Sequence, residues 1–253
     1  MIEITKIKTY GWEEAIRGMR NSYNSWDKSD SGWYLTGTPG TNPAAANDKY
    51  LREKYCIGDN DYTLMKRLVA AGSDHCKFLR MITVSMDINA PLYLWKEFDT
   101  YKVGTVANSC STMHKIAEKE FTLEDFSHEH LVSGWVGKDK NGIAISIPGP
   151  YEKLQSTIEL LNNVREMYLY VLKTPKEKID WSCTPSLSAK DIWWQIIQLL
   201  PNSYNQRRTV MLNYEVLANI YKSRKNHKLD EWQMFCKTME STLPYPELFT
   251  TRK

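Results

Sequence analysis

Between Phe78 and Ile88 the sequence FLRMITVSMDI alternates: Ile82, Val84, Met86 and Ile88 are apolar, and Thr83, Ser85 and Asp87 between them are polar. A period of two predicts a half-buried strand, with the first set toward a core and the second facing away. Elsewhere the period is helical. It predicts a short helix over Trp12 to Met19 and another from Asp61 to Ala71, ended by Gly72, a residue suited to a helix C-terminus. Asn89 and Pro91 open a helix running to about Tyr101. YEKLQSTIELLNNVREMYLYVL, residues 151–172, is strongly amphipathic. A further helix follows Ser188 and stops at Pro201, and TVMLNYEVLANIYKSR, from Thr209, reads as one more.

Two stretches break these periods. SGWYLTGTPGTNPAAAND (31–48) is rich in Gly, Pro, Thr and Asn and reads as a long surface loop, functional or mobile. SGWVGKDKNGIAISI predicts a hairpin turning at Asn141-Gly142. There is no internal repeat, low-complexity tract or clear linker, so the expectation is one α+β domain over 1–253, a central sheet with packed helices.

Composition changes this picture little. Net charge is only +3, which gives no support to a general nucleic-acid binder yet suits a small anionic ligand. No stretch has the roughly 20 apolar residues of a membrane span, and MIEITKIKTY lacks a signal peptide's apolar core. Five scattered cysteines (Cys56, Cys76, Cys110, Cys183, Cys236) without CxxC spacing point away from zinc and toward a reducing cytoplasm. Nine Trp and fifteen Tyr serve cores, interfaces and stacking sites alike.

The candidate chemistry is sparse. His128 and His130 could ligate a metal, although an HxH pair with no third ligand nearby is usually a surface feature, and no metal site is expected. Cys110, in TYKVGTVANSC (100–110), reads either as a thiol nucleophile or as an inert thiol. KSRKNHK (222–228) has the bland reading of a solvated helix end. Asn213 and Arg224, eleven residues apart, share a face if their helix is unbroken, and Glu215 and Asn219 share another.

The order strand, Ala-Pro, helix, polar loop, then Leu-Pro and an Asn-bearing helix with an Arg resembles flavin-dependent thymidylate synthase. MITVSMDINAPLYLWKEF aligns with that family's strand, Ala-Pro and helix; Thr100-Tyr101-Lys102 falls on its Arg-His-Arg and Cys110-Ser111-Thr112-Met113 on its Ser-Gly-Arg-Tyr. Leu200-Pro201, Asn213, Leu217, Asn219 and Arg224 match at the proper spacing, and HKLDEWQMF echoes the closing motif. His75 falls on the first flavin-side His and Met81 on the second. The resemblance covers 72–113 and 196–235. The family's arginines are absent at 100, 112, 197 and 215, where Thr, Thr, Ile and Glu stand. Each charge-assisted bond is worth about 1.5–3 kcal/mol, so the standard binding mode needs other cations: Lys77, Arg80, Arg207 or Arg208.

The resemblance implies an α+β subunit, a homotetramer, and FAD held between subunits. It also implies C5 one-carbon (methyl) transfer to a pyrimidine nucleotide such as dUMP, with NADPH and a folate donor as cosubstrates. It assigns catalytic contacts to Arg224 and Tyr101, substrate contacts to Glu97, Cys110, Ser111 and Arg224, and flavin contacts to His75, Thr100, Lys102, Asn108, Asn213 and Asn219. Glu215 would repel a pyrophosphate unless it turned outward or paired with an Arg. The alternatives are a non-catalytic homologue that keeps the fold as a nucleotide-binding or structural protein, and a thiol hydrolase using Cys110.

Overall fold

A computed structural model describes residues 2–36, 52–147, 149–179 and 186–252. Strand β1 (Glu3–Tyr10) leads into helix α1 (Trp12–Arg20), and strands β2 (Gly32–Thr36) and β3 (Arg52–Cys56) pair antiparallel with Trp33 opposite Tyr55. Helix α2 (Asp59–Ala71) and a 3-10 turn at Lys77–Arg80 precede strand β4 (Thr83–Pro91) and helix α3 (Leu92–Phe98). Strand β5 (Val106–Ser109) and a single turn of helix, α4 (Thr112–Lys115), follow. Next come the hairpin β6 (Trp135–Lys138) and β7 (Ala144–Ile147), then helices α5 (Pro150–Lys173) and α6 (Ala189–Leu199). The chain closes with strand β8 (Asn205–Asn213) and helices α7 (Tyr214–Arg224), α8 (Asp230–Thr242) and α9 (Glu247–Thr250). The central antiparallel sheet has the order β1-β4-β8-β5.

The chain divides into two compact units, the first being Met1–Glu3, Ile88–Asp99 and Asn108–Arg208, and the second Ile4–Asp87, Thr100–Ala107 and Thr209–Lys253. In the first unit, Phe121, Phe126, Leu154, Ile158, Leu161 and Ile196 form a buried cluster that joins α5 to α6. Ser188 starts α6 with a reciprocal cap: its hydroxyl accepts from the Asp191 amide, and the Asp191 carboxylate accepts from the Ser188 amide at 2.9 Å. The hairpin turns at Asn141 and Gly142, where φ is +81°, a value that favours glycine.

In the second unit Ile82, Val84 and Met86 are buried, and Ile88 is buried in the first, so the expected alternation holds. Asp87 departs from it. It is buried because Lys6 Nζ meets its Oδ2 at 3.1 Å and Thr209 Oγ1 donates to its Oδ1 at 2.7 Å, from the strands on either side of β4. A buried carboxylate persists when its desolvation is offset by such partners.

Four boundaries differ from the sequence reading. Residues 32–36 are strand rather than loop: a run of Trp, Tyr and Leu has high β-propensity, which the Gly- and Pro-rich average of the longer stretch conceals. The remainder of that expected loop, 37–48, lies outside the described residues. The polar segment after α3 is not all loop, since 106–109 form an edge strand beside β8 and the Cys110 amide continues the pairing to Arg207 O at 2.9 Å. Helix α3 ends at Phe98, short of Tyr101. Residues 209–213 finish a strand rather than start a helix, because Val210 and Leu212 point inward while Thr209 and Met211 are exposed, a period of two.

Candidate functional site

Arg224, the last residue of α7, is held by aromatic rings and a histidine of the second unit. Its Nε donates to the Tyr101 hydroxyl at 3.0 Å, and its Nη1 lies 2.8 Å from His227 Nε2. The guanidinium stands 5.2 Å from the Trp232 ring centroid and 5.8 Å from that of Tyr101, within cation–π range. Trp232 is fully buried in α8, and its edge-on contact with Tyr101 at 5.9 Å fixes the second ring against the first. A guanidinium only donates, so His227 Nε2 accepts, while the Leu229 amide donates to His227 Nδ1 at 3.2 Å. A neutral imidazole has one free lone pair, so these two demands compete. His227 and Trp232 were missed in the sequence, where they stood only as part of a loosely matched closing motif.

Asn213 does not sit on the α7 face with Arg224. It is the N-cap: its Oδ1 accepts from the Val216 amide at 3.0 Å. That use follows from the strand-to-helix junction, where a capping side chain satisfies an otherwise orphaned amide. Across from it, Gly104 has φ +81°, and a Cβ there would stand 2.9 Å from Asn213 Nδ2 and 3.1 Å from Val216 Cγ2. The segment 100–107 thus approaches α7 as closely as backbone can. Thr100, Lys102 and Asn219 are exposed. Thr105, in the same segment, has a buried Oγ1 with no hydrogen-bond partner among the described residues.

Glu215, in the first turn of α7, is paired twice. Arg80 grips it with Nε and Nη2, and Arg252 Nη2 reaches its Oε1 at 3.2 Å. The Arg80 hydrogen bond, with the two positive charges, holds the Glu215 carboxyl below its ordinary range against the upward push of burial. Arg80, one of the cations expected to substitute for the missing arginines, is therefore committed to Glu215. So is Arg208 to Asp99, at 2.7 Å, while its guanidinium stacks 4.3 Å over Trp95.

His75 is placed elsewhere in the second unit, on a groove of about 1070 Å³ between α1 and α2. One stripe of α2 (Asn60, Thr63, Leu64, Arg67, Leu68, Ala71) makes its floor, and Arg20, Lys28 and Tyr23 stand opposite. The lining holds three cations and His75 but no carboxylate. In the first unit, Cys110 and Ser111 line a cavity of about 550 Å³ with a different balance. Glu3, Glu118, Glu124 and Asp125 bring four carboxylates against Lys115, Lys119 and Arg207, and Lys115 and Lys119 are already paired with Glu118 and Asp125. Asn108 lies on the exposed edge strand and Glu97 on α3, also in the first unit. Of the site residues expected from the sequence, the second unit brings Arg224 to Tyr101, sets Asn213 against Gly104 and places His75 in its groove, and the first unit sets Cys110 with Ser111. Among the described residues no cluster of His, Cys, Asp and Glu could hold a metal ion. No helix among them is long and apolar enough to cross a membrane.

No family model and no curated protein matches the sequence. Solved structures match the fold along almost its whole length. Two structures of flavin-dependent thymidylate synthase ThyX from Helicobacter pylori, each with FAD and dUMP, superpose with TM-scores of 0.58 at 15% and 16% identity. They cover 99% of this chain and 97% and 99% of theirs. The UMP/dUMP methylase PolB from Streptomyces cacaoi, bound with 5-Br dUMP, matches with a TM-score of 0.51 at 14% identity over 95% of this chain and 89% of its own. On these superpositions the chain has the fold of the flavin-dependent thymidylate synthases.

Proposed function

We propose that the protein is a divergent flavin-dependent thymidylate synthase-like enzyme that transfers a one-carbon (methyl) unit to C5 of a pyrimidine nucleotide such as dUMP. The observation that carries this reading is Arg224. Two rings and a histidine hold its guanidinium in one orientation, so its planar donors are preorganised to meet a base edge or a phosphate with little further loss of side-chain entropy. Tyr101 positions Arg224 and leaves it charged, since a phenol oxygen accepts without neutralising the guanidinium.

The residues of the second unit fit FAD in part. The carboxylate-free groove with Lys28, Arg67 and His75 has the donor chemistry a pyrophosphate requires, and the orphaned Thr105 hydroxyl offers a donor inside the 100–107 segment. Lys102 stands exposed beside it. Asn213 fits poorly, its Oδ1 being engaged by the Val216 amide, so the flavin contacts rest on Lys102, Thr105, Asn219 and His75. When bound, FAD supplies the redox chemistry, with NADPH as reductant and a folate as one-carbon donor. Exposed Val136, Ile143, Ile145 and Ile147 on the β6–β7 hairpin favour assembly, here a homotetramer. Light scattering that finds a 29.5 kDa monomer would contradict it.

A second reading, a non-catalytic homologue, is favoured by Glu215 and its two arginines, which fill with an ion cluster a position that is cationic in the family. Incubating the protein with dUMP, FAD, NADPH and methylenetetrahydrofolate separates the two. Formation of dTMP, lost in Arg224→Ala, supports the enzyme; nucleotide binding without product supports the homologue.

A further inference from the structure

A second cavity of the second unit belongs to none of these groups. It measures about 490 Å³ and is lined by Thr9, Trp12, Lys54, Tyr55, Ile57 and Tyr245, together with Cys56 and Pro244. That volume lies within the range of small-molecule sites. Its three rings come from three separate parts of the chain: the start of α1, strand β3, and the link between α8 and α9.

Each ring is held by contacts with its neighbours. The Trp12 indole N–H donates to Thr9 Oγ1 at 3.0 Å, so its polar atom is satisfied at the wall. Tyr55 packs edge-on against Trp33 at 5.3 Å. Burial, and then the carboxylates of Glu13, Asp61 and Glu14, push its phenol up to about 12, so it remains a neutral donor. Tyr245 stands edge-on to Trp12 at 5.4 Å and tilted on Tyr62 at 4.9 Å. Its backbone has φ +53°, a left-handed conformation that strains a non-glycine residue. A packed core does not require that strain; it is tolerated where the surroundings dictate the direction of one side chain. Here that side chain is a cavity wall.

Among the lining residues the charge is one-sided, the carboxylates that act on Tyr55 not being part of the lining. Lys54 is exposed at the rim, and no carboxylate is among the lining residues. Aromatic walls favour a flat aromatic guest, because ring–ring contacts add to what the buried area alone contributes. A cation at the mouth favours a guest with an anionic substituent. We propose that this cavity binds a planar aromatic acid, its ring enclosed by Trp12, Tyr55 and Tyr245 and its carboxylate or phosphate at Lys54.

Three probes with one ring system test this by calorimetry on the full chain: naphthoate, naphthyl phosphate and neutral naphthol. Saturable binding of the two anions is expected, and whichever binds more tightly identifies a carboxylate or a phosphate as the natural substituent. Lys54→Glu, at an exposed position, weakens both anions by about tenfold and leaves naphthol unchanged. Tyr245→Gly relieves the backbone strain while removing the wall, and weakens all three probes by about tenfold or more. The proposal is overturned if no probe saturates at millimolar concentration, if Lys54→Glu affects naphthol as much as the anions, or if folded Tyr245→Gly binds as wild type does. If Tyr245→Gly does not fold, the Lys54→Glu comparison decides alone. None of these probes is a pyrimidine or a flavin, so the result stands apart from the proposed enzymatic activity.

Discussion

Arg20 and Asp61 form a buried ion pair, Nε to Oδ1 at 2.6 Å, with side-chain exposures of 5% and 0%. The Ser29 and Ser31 hydroxyls and the Asp30 amide donate to the other carboxylate oxygen at 2.6, 2.7 and 3.2 Å, and Asp30 in turn accepts from the Asn60 and Asp61 amides. The pair therefore ties the segment before β2 to the start of α2. Asp61→Asn leaves Arg20 buried and uncompensated. It is expected to lower unfolding free energy by about 3–5 kcal/mol, read from the urea midpoint.

The same residue sets a pH dependence. Burial pushes the Asp61 carboxyl up, but the hydrogen bonds of Ser29, Ser31 and Arg20 outweigh it and hold the carboxyl below its ordinary 3.8. A lowered folded-state value means its contribution is complete above 3.8 and disappears as pH falls through the lowered value. Wild-type stability should fall across that acid window. Asp61→Asn, with nothing to titrate there, should fall less; equal slopes would contradict the assignment.

Gly104 and Asn213 give a local test. Gly104→Ala must accept φ +81° and place a Cβ 2.9 Å from Asn213 Nδ2, which predicts a loss of about 1–2 kcal/mol by thermal melting. Asn213→Ala loses only the cap, about 1 kcal/mol. The double variant should fall short of the sum, because both act on one contact.

Much of this fold was legible because its signals are periodic. Helices α1, α2, α5 and α6, the β6–β7 turn and the inward face of β4 follow from apolar spacing and from Gly72, Ser188 and Gly142 at their ends. What misled was composition averaged across a boundary. The aromatic strand β2 hid in a Gly-Pro-rich stretch, and β8 merged with α7 because Val210 and Leu212 continue smoothly into an apolar helix. The site was legible only as single residues. Arg224 stood out, but the Tyr101–Trp232 contact and the Arg20–Asp61 pair join distant segments, which one-dimensional spacing does not encode, and His227, only three residues from Arg224, was hidden in a basic run read as a solvated helix end.

Glu215 anchors the C-terminal segment through Arg252. Glu215→Gln should cost about 1–2 kcal/mol, less than a fully buried pair because Arg80 is 58% exposed. It should also speed hydrogen exchange in α9, whereas unchanged protection there would show that Arg252 contributes little.

Arg224→Ala should weaken dUMP binding by at least about tenfold in calorimetry. Tyr101→Phe removes only the oxygen that accepts from Arg224 Nε, so a smaller loss, about fivefold, is expected. A greater loss for Tyr101→Phe than for Arg224→Ala would make the tyrosine, and not the arginine, the direct contact.

The most direct test of the flavoenzyme reading is an FAD titration of the purified protein followed by flavin fluorescence. Saturable quenching in the micromolar range is predicted, weakened by Lys102→Glu, which reverses an exposed charge beside Thr105. The absence of saturable quenching at high micromolar FAD would contradict that reading and leave the non-catalytic homologue in its place.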